Sequence, residues 1–246
     1  MGLITNKDNI YVIVPYGDNS KPITSFMEKS FSIFVRAKII SEELPFNDDC
    51  FMISRNGKHA GITVRKFDDN ELNFGFAYWF KDEDNNDIYK NIVFLLPSKL
   101  KTEYNDYVMR CNHIKKEFSC YFNKKLVGTI SYDGLVKEDY TNSFIWFGCG
   151  SMTGNVNTQG IGSFIFEESF AISENVDLEI LYKMKDNHKT HTTHLSNGLP
   201  VLNDEMEFKD KMLFYLDFKN KSNYKLWNLV FNGIYPQFYI KNNIYY

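Results

Sequence analysis

The stretch CYFNKKLVGTISYDG, residues 120–134, sets three polar residues, Asn123, Lys124 and Lys125, between two short runs of apolar and β-branched residues. A polar tip between two such runs is the pattern of a β-hairpin. Leu126, Val127 and Ile130 read as sheet or core residues and the lysines as a solvated turn, so the hairpin is expected to be architecture rather than a chemical site. The same pattern repeats outward. In FSIFVRAKI (31–39), Phe31, Ile33, Val35, Ala37 and Ile39 point one way, and Ser32, Phe34, Arg36 and Lys38 the other. GITVRKF (61–67) and ELNFGFAYWF (71–80) alternate likewise, and turn-forming clusters separate them: SRNGKHAG (54–61), KFDDNE (66–71) and KDEDNND (81–87). Further strands are expected over NIVFLL (91–96), SFIWFGC (143–149) and GSFIFEESF (162–170).

One segment is helical in pattern. Ser173 is placed to cap a short helix near 174–183, with Glu174 and Asp177 at the positive end of its dipole. Many short strands with a turn every ten or so residues predict an all-β fold, an antiparallel β-sandwich of the jelly-roll type. Residues 1–182 form this sandwich. Residues 183–207 are polar and turn-rich, a loop or linker, and residues 208–246 resume strand character, either completing or covering the sandwich or starting another unit.

With 246 residues and 43% hydrophobic content, the chain is long enough to bury a sizeable core. Its 28 basic and 31 acidic residues give a net charge of −3 with no basic stripe, which argues against nucleic acid as a partner. No apolar run is long enough for a membrane span, and the N-terminus lacks the layout of a signal peptide. Cys50, Cys111, Cys120 and Cys149 show no CxxC spacing and have apolar or aromatic neighbours. Buried, reduced thiols are expected, in a cytoplasmic protein or in a domain of a larger one.

Three stretches, in order, resemble the concanavalin A-like, laminin-G-like lectin family. YFNKKLVG (121–128) is similar to its hairpin of the form YVNGKLVG, with Lys124 where the family usually has Gly. FIWFGCG (144–150) is similar to its LYIG strand. IGSFIFEESFAISENVDLEILY (161–182) is similar to its closing signature, with Ser163 where an acidic residue is common and a helical turn one residue longer. The resemblance covers roughly residues 26–182. It implies a concanavalin A-like jelly roll and, for function, a module that binds carbohydrate without catalysis.

Glucanases and polysaccharide lyases of this architecture need particular catalytic sets, and no catalytic residue is assigned here. A retaining glycosidase requires two carboxylates about 5 Å apart. ENVDLE (174–179) has a different spacing from the family's E-x-D-x-x-E, and the adjacent Glu167 and Glu168 face opposite ways in a regular strand. For metals, HKTHTTH spaces His188, His191 and His194 by three, which shares a face only on a helix that the threonines disfavour. Asp82, Asp84 and Asp87 offer oxygens to calcium in an acidic loop, without EF-hand spacing.

Alternation places Phe34, Arg36, Arg65, Asn73, Trp79, Arg110 and Tyr121 away from the main core, with Gly75 and Ala77 leaving room beside Trp79. Aromatic faces stack on sugar rings, and Arg and Asn hold hydroxyls in fixed geometry. Arg36, Arg65, Asn73, Trp79, Arg110 and Tyr121 are therefore the candidate glycan-binding residues, with a polysaccharide or glycoconjugate as partner. The alternative is a structural or assembly module that docks protein, another domain or a subunit, on the same face. The apolar C-terminal stretch YKLWNLVFNGIYPQFYIKNNIYY (224–246), which has to pack somewhere, supports it. A hydrolase or lyase with carboxylates from separate strands is the third reading.

Overall fold

A computed structural model of the chain describes residues 3–5, 10–14, 30–44, 49–55, 60–67, 72–82, 84, 86–96, 103–133, 135–136, 145–148, 150–151, 158–159, 163–186, 192–194, 200–202, 207–217, 237–240 and 243–245. Two antiparallel sheets face each other. The seven-stranded sheet runs β1 (Leu3–Thr5), β15 (Phe164–Ile172), β3 (Phe31–Ile39), β8 (Asn105–Asn112), β9 (Glu117–Phe122) and β10 (Lys125–Ser131). Its seventh strand, β18 (Met212–Asp217), pairs with β15 beyond the stretch that β1 occupies.

The nine-stranded sheet runs β11 (Leu135–Val136), β6 (Leu72–Lys81), β5 (Ala60–Lys66), β4 (Asp49–Arg55), β12 (Ile145–Phe147), β2 (Ile10–Val14), β19 (Gln237–Ile240) and β20 (Asn243–Tyr245). The long strand β7 (Asp87–Leu96) pairs along all of β6. Two small hairpins, β13 (Gly150–Ser151) with β14 (Thr158–Gln159) and β16 (Thr192–His194) with β17 (Pro200–Leu202), complete the described strands. The expected all-β sandwich is the fold. Strands from 208–246 enter both sheets, β18 beside β15 and β19 beside β2.

The main core lies between the sheets and follows the alternation read from the sequence. Phe31, Ile33, Val35, Ala37 and Ile39 of β3, Tyr107, Met109 and Cys111 of β8, and Phe118, Cys120 and Phe122 of β9 meet Ile62 and Val64 of β5 and Phe74 and Phe76 of β6. Phe74 is the hub of an aromatic cluster, with the rings of Phe76, Phe94, Tyr107 and Phe122 within 5.2–5.4 Å of its own. Such pairs add to the area they bury. Cys50, Cys111 and Cys120 are buried free thiols, as expected, and Cys149 lies outside the described residues.

A second core covers the outer face of the seven-stranded sheet. Helix α1 (Leu178–Asp186) packs Leu181, Tyr182 and Met184 onto Phe34, Val108 and Phe170, and Met212 and Tyr215 join from β18. The helix starts later than the expected 174–183. Ser173 does not cap it: its hydroxyl donates to the Lys211 carbonyl, and Asp177 stands at the cap position. The reason is tertiary, since Ser32 Oγ donates to the Glu174 carbonyl and accepts the Val176 N–H at 2.8 Å, pinning 174–176 against β3.

The 123–125 tip is a two-residue turn, Asn123 and Lys124, both at positive φ (46° and 69°). That is the backbone of a type I′ hairpin, built here without the usual glycine.

Candidate functional site

Among the described residues, the outer face of the nine-stranded sheet is exposed along β7 and partly exposed over β5 and β6. Ile62 and Val64 of β5, Phe74 and Phe76 of β6 and Ile92 and Leu96 of β7 turn inward, so their neighbours in sequence turn outward. Register then builds rows across the strands. Arg65 stands opposite Asn73, and Asn73 opposite Leu95; Thr63 stands opposite Gly75, and Gly75 opposite Val93. Gly75 has no side chain to fill the middle row. A Cβ there would meet Thr63 Oγ1 at 3.0 Å.

The result is a concavity of about 300 Å³ lined by Thr63, Arg65, Phe67, Asn73, Gly75, Tyr89, Asn91 and Val93. Its rim is apolar and exposed: Phe67 is 41% accessible, Tyr89 47% and Val93 57%. The Arg65 guanidinium lies 5.9 Å from the Phe67 ring centroid, which orients its planar donors beside an aromatic face. Thr63, Asn73 and Asn91 supply donors and acceptors of both kinds along the floor and walls. A floor with no side chain, two aromatic rims and convergent polar groups suit a flat, hydroxyl-rich ring.

The six candidate glycan-binding residues do not share one face. Arg65 and Asn73 line the concavity. Trp79 lies in β6 opposite Tyr89, and its side chain is outside the described residues. Arg36, Arg110 and Tyr121 instead lie on the outer face of the seven-stranded sheet, under α1 and its approach. Arg36 pairs with Asp106 at 2.7 Å and with Glu167, and Lys185 of α1 reaches the same Asp106 at 3.6 Å. Arg110 donates to the Tyr121 hydroxyl at 3.3 Å and pairs with Asp177, just ahead of α1, at 3.5 Å. Alternation correctly turned the five with described side chains, Arg36, Arg65, Asn73, Arg110 and Tyr121, away from the main core. It carried no information on which sheet each strand would join, or that a helix would cover one of the two outer faces.

The carboxylates also depart from simple alternation. A bulge between Phe166 and Glu168 breaks the register of β15 against β3. Glu167 therefore reaches Arg36 while buried Glu168 accepts a hydrogen bond from Tyr215 Oη at 2.8 Å, so both adjacent residues serve the covered face. Each is engaged in holding the second core.

In the acidic loop, both Asp82 carboxylate oxygens are taken up by Asn86, through its backbone N–H at 2.7 Å and its side-chain amide at 3.0 Å. Asp84 is exposed and the Asp87 side chain is outside the described residues. His188 and His191 lie outside the described residues, as does the side chain of His194 in β16. Among the described residues no group of three His, Cys, Asp or Glu side chains is arranged to hold a metal ion. No described helix is long and apolar enough to cross a membrane.

No protein-family model and no curated protein matches the chain in sequence. Solved structures do match in three dimensions. A structure described as a receptor binding domain gives a TM-score of 0.50 at 15% identity, over 99% of this chain and 66% of its own. The two share the antiparallel β-sandwich fold. A heptameric SAP-like pentraxin from Limulus polyphemus gives 0.49 at 10% identity, over 74% of this chain and 80% of that one. The CBM40 of the Ruminococcus gnavus IT-sialidase, bound to alpha2,3 sialyllactose, gives 0.48 at 11% identity, over 74% and 97%. At 15% identity the likeness to the receptor binding domain is one of fold alone.

Proposed function

We propose that the chain is a non-catalytic glycan-binding module of the concanavalin A-like, laminin-G-like kind, in which residues 208–246 complete the sandwich of residues 1–182. It holds a polysaccharide or glycoconjugate on the outer face of β5, β6 and β7. The observation that carries this reading is the concavity floored by Gly75, with Arg65 and Asn73 at one end and Tyr89 at the other. Of the residues read from the sequence, Arg65, Asn73 and Trp79 form the site in this proposal, and Arg36, Arg110 and Tyr121 hold the helix.

A second reading, a module that docks protein on the same face, is favoured by Val93 and Leu95, which are aliphatic and more than half exposed. A glycan array probed with and without chelator, followed by titration of the best ligand, separates the two. Gly75→Leu fills the concavity from the solvent side and is expected to lower affinity at least about tenfold with the thermal midpoint nearly unchanged; Trp79→Ala is expected to do the same. Undiminished affinity in both variants removes the site from this face. Loss under chelation moves it to the acidic loop at 82–87, and silence across the array favours protein docking.

A further inference from the structure

We propose that one end of the sandwich, built around the β8–β9 turn, docks on an anionic lipid surface. The turn His113–Lys116 carries Ile114 at its tip, 93% exposed, whereas the other exposed large apolar side chains among the described residues reach 57% at most. Exposed turn tips favour Gly, Asn, Asp and Ser, and a β-branched apolar residue has no structural reason to be there. The turn is also held firmly. The His113 N–H donates to Ser30 Oγ at 3.0 Å, its Nδ1 contacts the Tyr132 hydroxyl at 3.1 Å, and the Lys115 N–H donates to Asn112 Oδ1 at 3.0 Å. Lys116, at φ +50°, accepts the Tyr132 N–H on its carbonyl at 3.0 Å and donates its ammonium to the Asp133 carbonyl at 3.2 Å. A fixed turn therefore offers an apolar side chain to solvent.

Charge selects the partner. Exposed Lys115 and Lys116 follow Ile114 directly. Lys90 of β7 joins them, donating to the Ser131 carbonyl at 3.5 Å, one residue from Tyr132. Among the described residues, the acidic groups at this end are Glu117, which accepts from Ser119 Oγ, and Asp133. An apolar tip beside three lysines matches a layer with phosphate and carboxylate headgroups above hydrocarbon. One inserted residue and a few lysines give reversible, salt-sensitive attachment. The proposal does not depend on glycan recognition.

The test is co-sedimentation of the full chain with phosphatidylcholine vesicles, with and without phosphatidylserine and free of glycolipid. Binding is expected only to the anionic vesicles, falling with added salt. Ile114→Ser is expected to reduce partitioning about tenfold, and Lys115→Gln with Lys116→Gln roughly thirtyfold, each with an unchanged thermal midpoint. No binding to anionic vesicles overturns the proposal, as does equal partitioning of the Ile114 variant. So does a dimer in solution that Ile114→Ser dissolves, since the tip would then be an interface between copies.

Discussion

Lys124 shows how a single residue is held against its own preference. A non-glycine residue at φ +69° is strained by about 1 kcal/mol. Three contacts offset that cost: the Lys124 N–H donates to the Tyr182 hydroxyl at 3.0 Å, its ammonium sits 4.6 Å from the Tyr182 ring centroid, and the neighbouring Asn123 side chain accepts the Asp106 N–H at 2.9 Å. The hairpin tip is thus the seat on which α1 rests. Cys111 is set by burial in a different way: loss of solvent pushes its thiol up to about 11, while the Tyr132 hydroxyl works in the other direction. A pKa higher in the folded than in the unfolded state means that the native form holds the proton more tightly. The stability from this group is complete below about pH 9 and is lost as pH rises through about 11. Urea unfolding is expected to give equal stability for the wild type at pH 7 and 8 and a decline above pH 9 on the order of 2 kcal/mol. Cys111→Ala is expected to flatten part of that decline; an identical decline in the variant assigns it to the tyrosines.

At the scale of the element, β15 and α1 carry what alternation alone misses. The bulge in β15 turns two consecutive glutamates to one face, where Arg36 and Tyr215 receive them. Arg36 is three-quarters buried between Asp106 and Glu167 and ties β3, β8 and β15 together beneath the helix. Arg36→Met removes the cation and leaves both carboxylates partly buried beside each other. The expected loss is about 2 kcal/mol by urea unfolding, with part of it recovered when Asp106→Asn is added. If the single variant is as stable as the wild type, the ion pairs do not hold this face. The helix was legible as a helix near 174–183, and the structure has it at Leu178–Asp186. Its start was not, because Ser32, some 140 residues away in sequence, takes the backbone groups that a local cap would have used.

At the scale of the molecule, the two sheets close on each other where β10 meets β7. Gly128 makes this possible: a Cβ there would lie 2.9 Å from Ile92 Cγ2. Gly128→Val is expected to destabilise the protein by about 2 kcal/mol by overpacking, and Ile92→Ala in the same chain to restore part of it; additive losses would mean that the two residues do not share one space. The sequence by itself determined the all-β class, the inward residues of β3, β5 and β6 and the outward turn of Arg36, Arg65, Asn73, Arg110 and Tyr121, because the pleat enforces a period of two whatever the partners are. Only the tertiary structure decided which outer face those residues share. Strand order is set by pairings between distant segments, so Arg65 and Asn73 lie on a partly exposed sheet face beside Gly75, while Arg36, Arg110 and Tyr121 lie beneath a helix. A strand's own pattern records which residues point away from the core, and only the packing of its neighbours determines whether water or another element meets them.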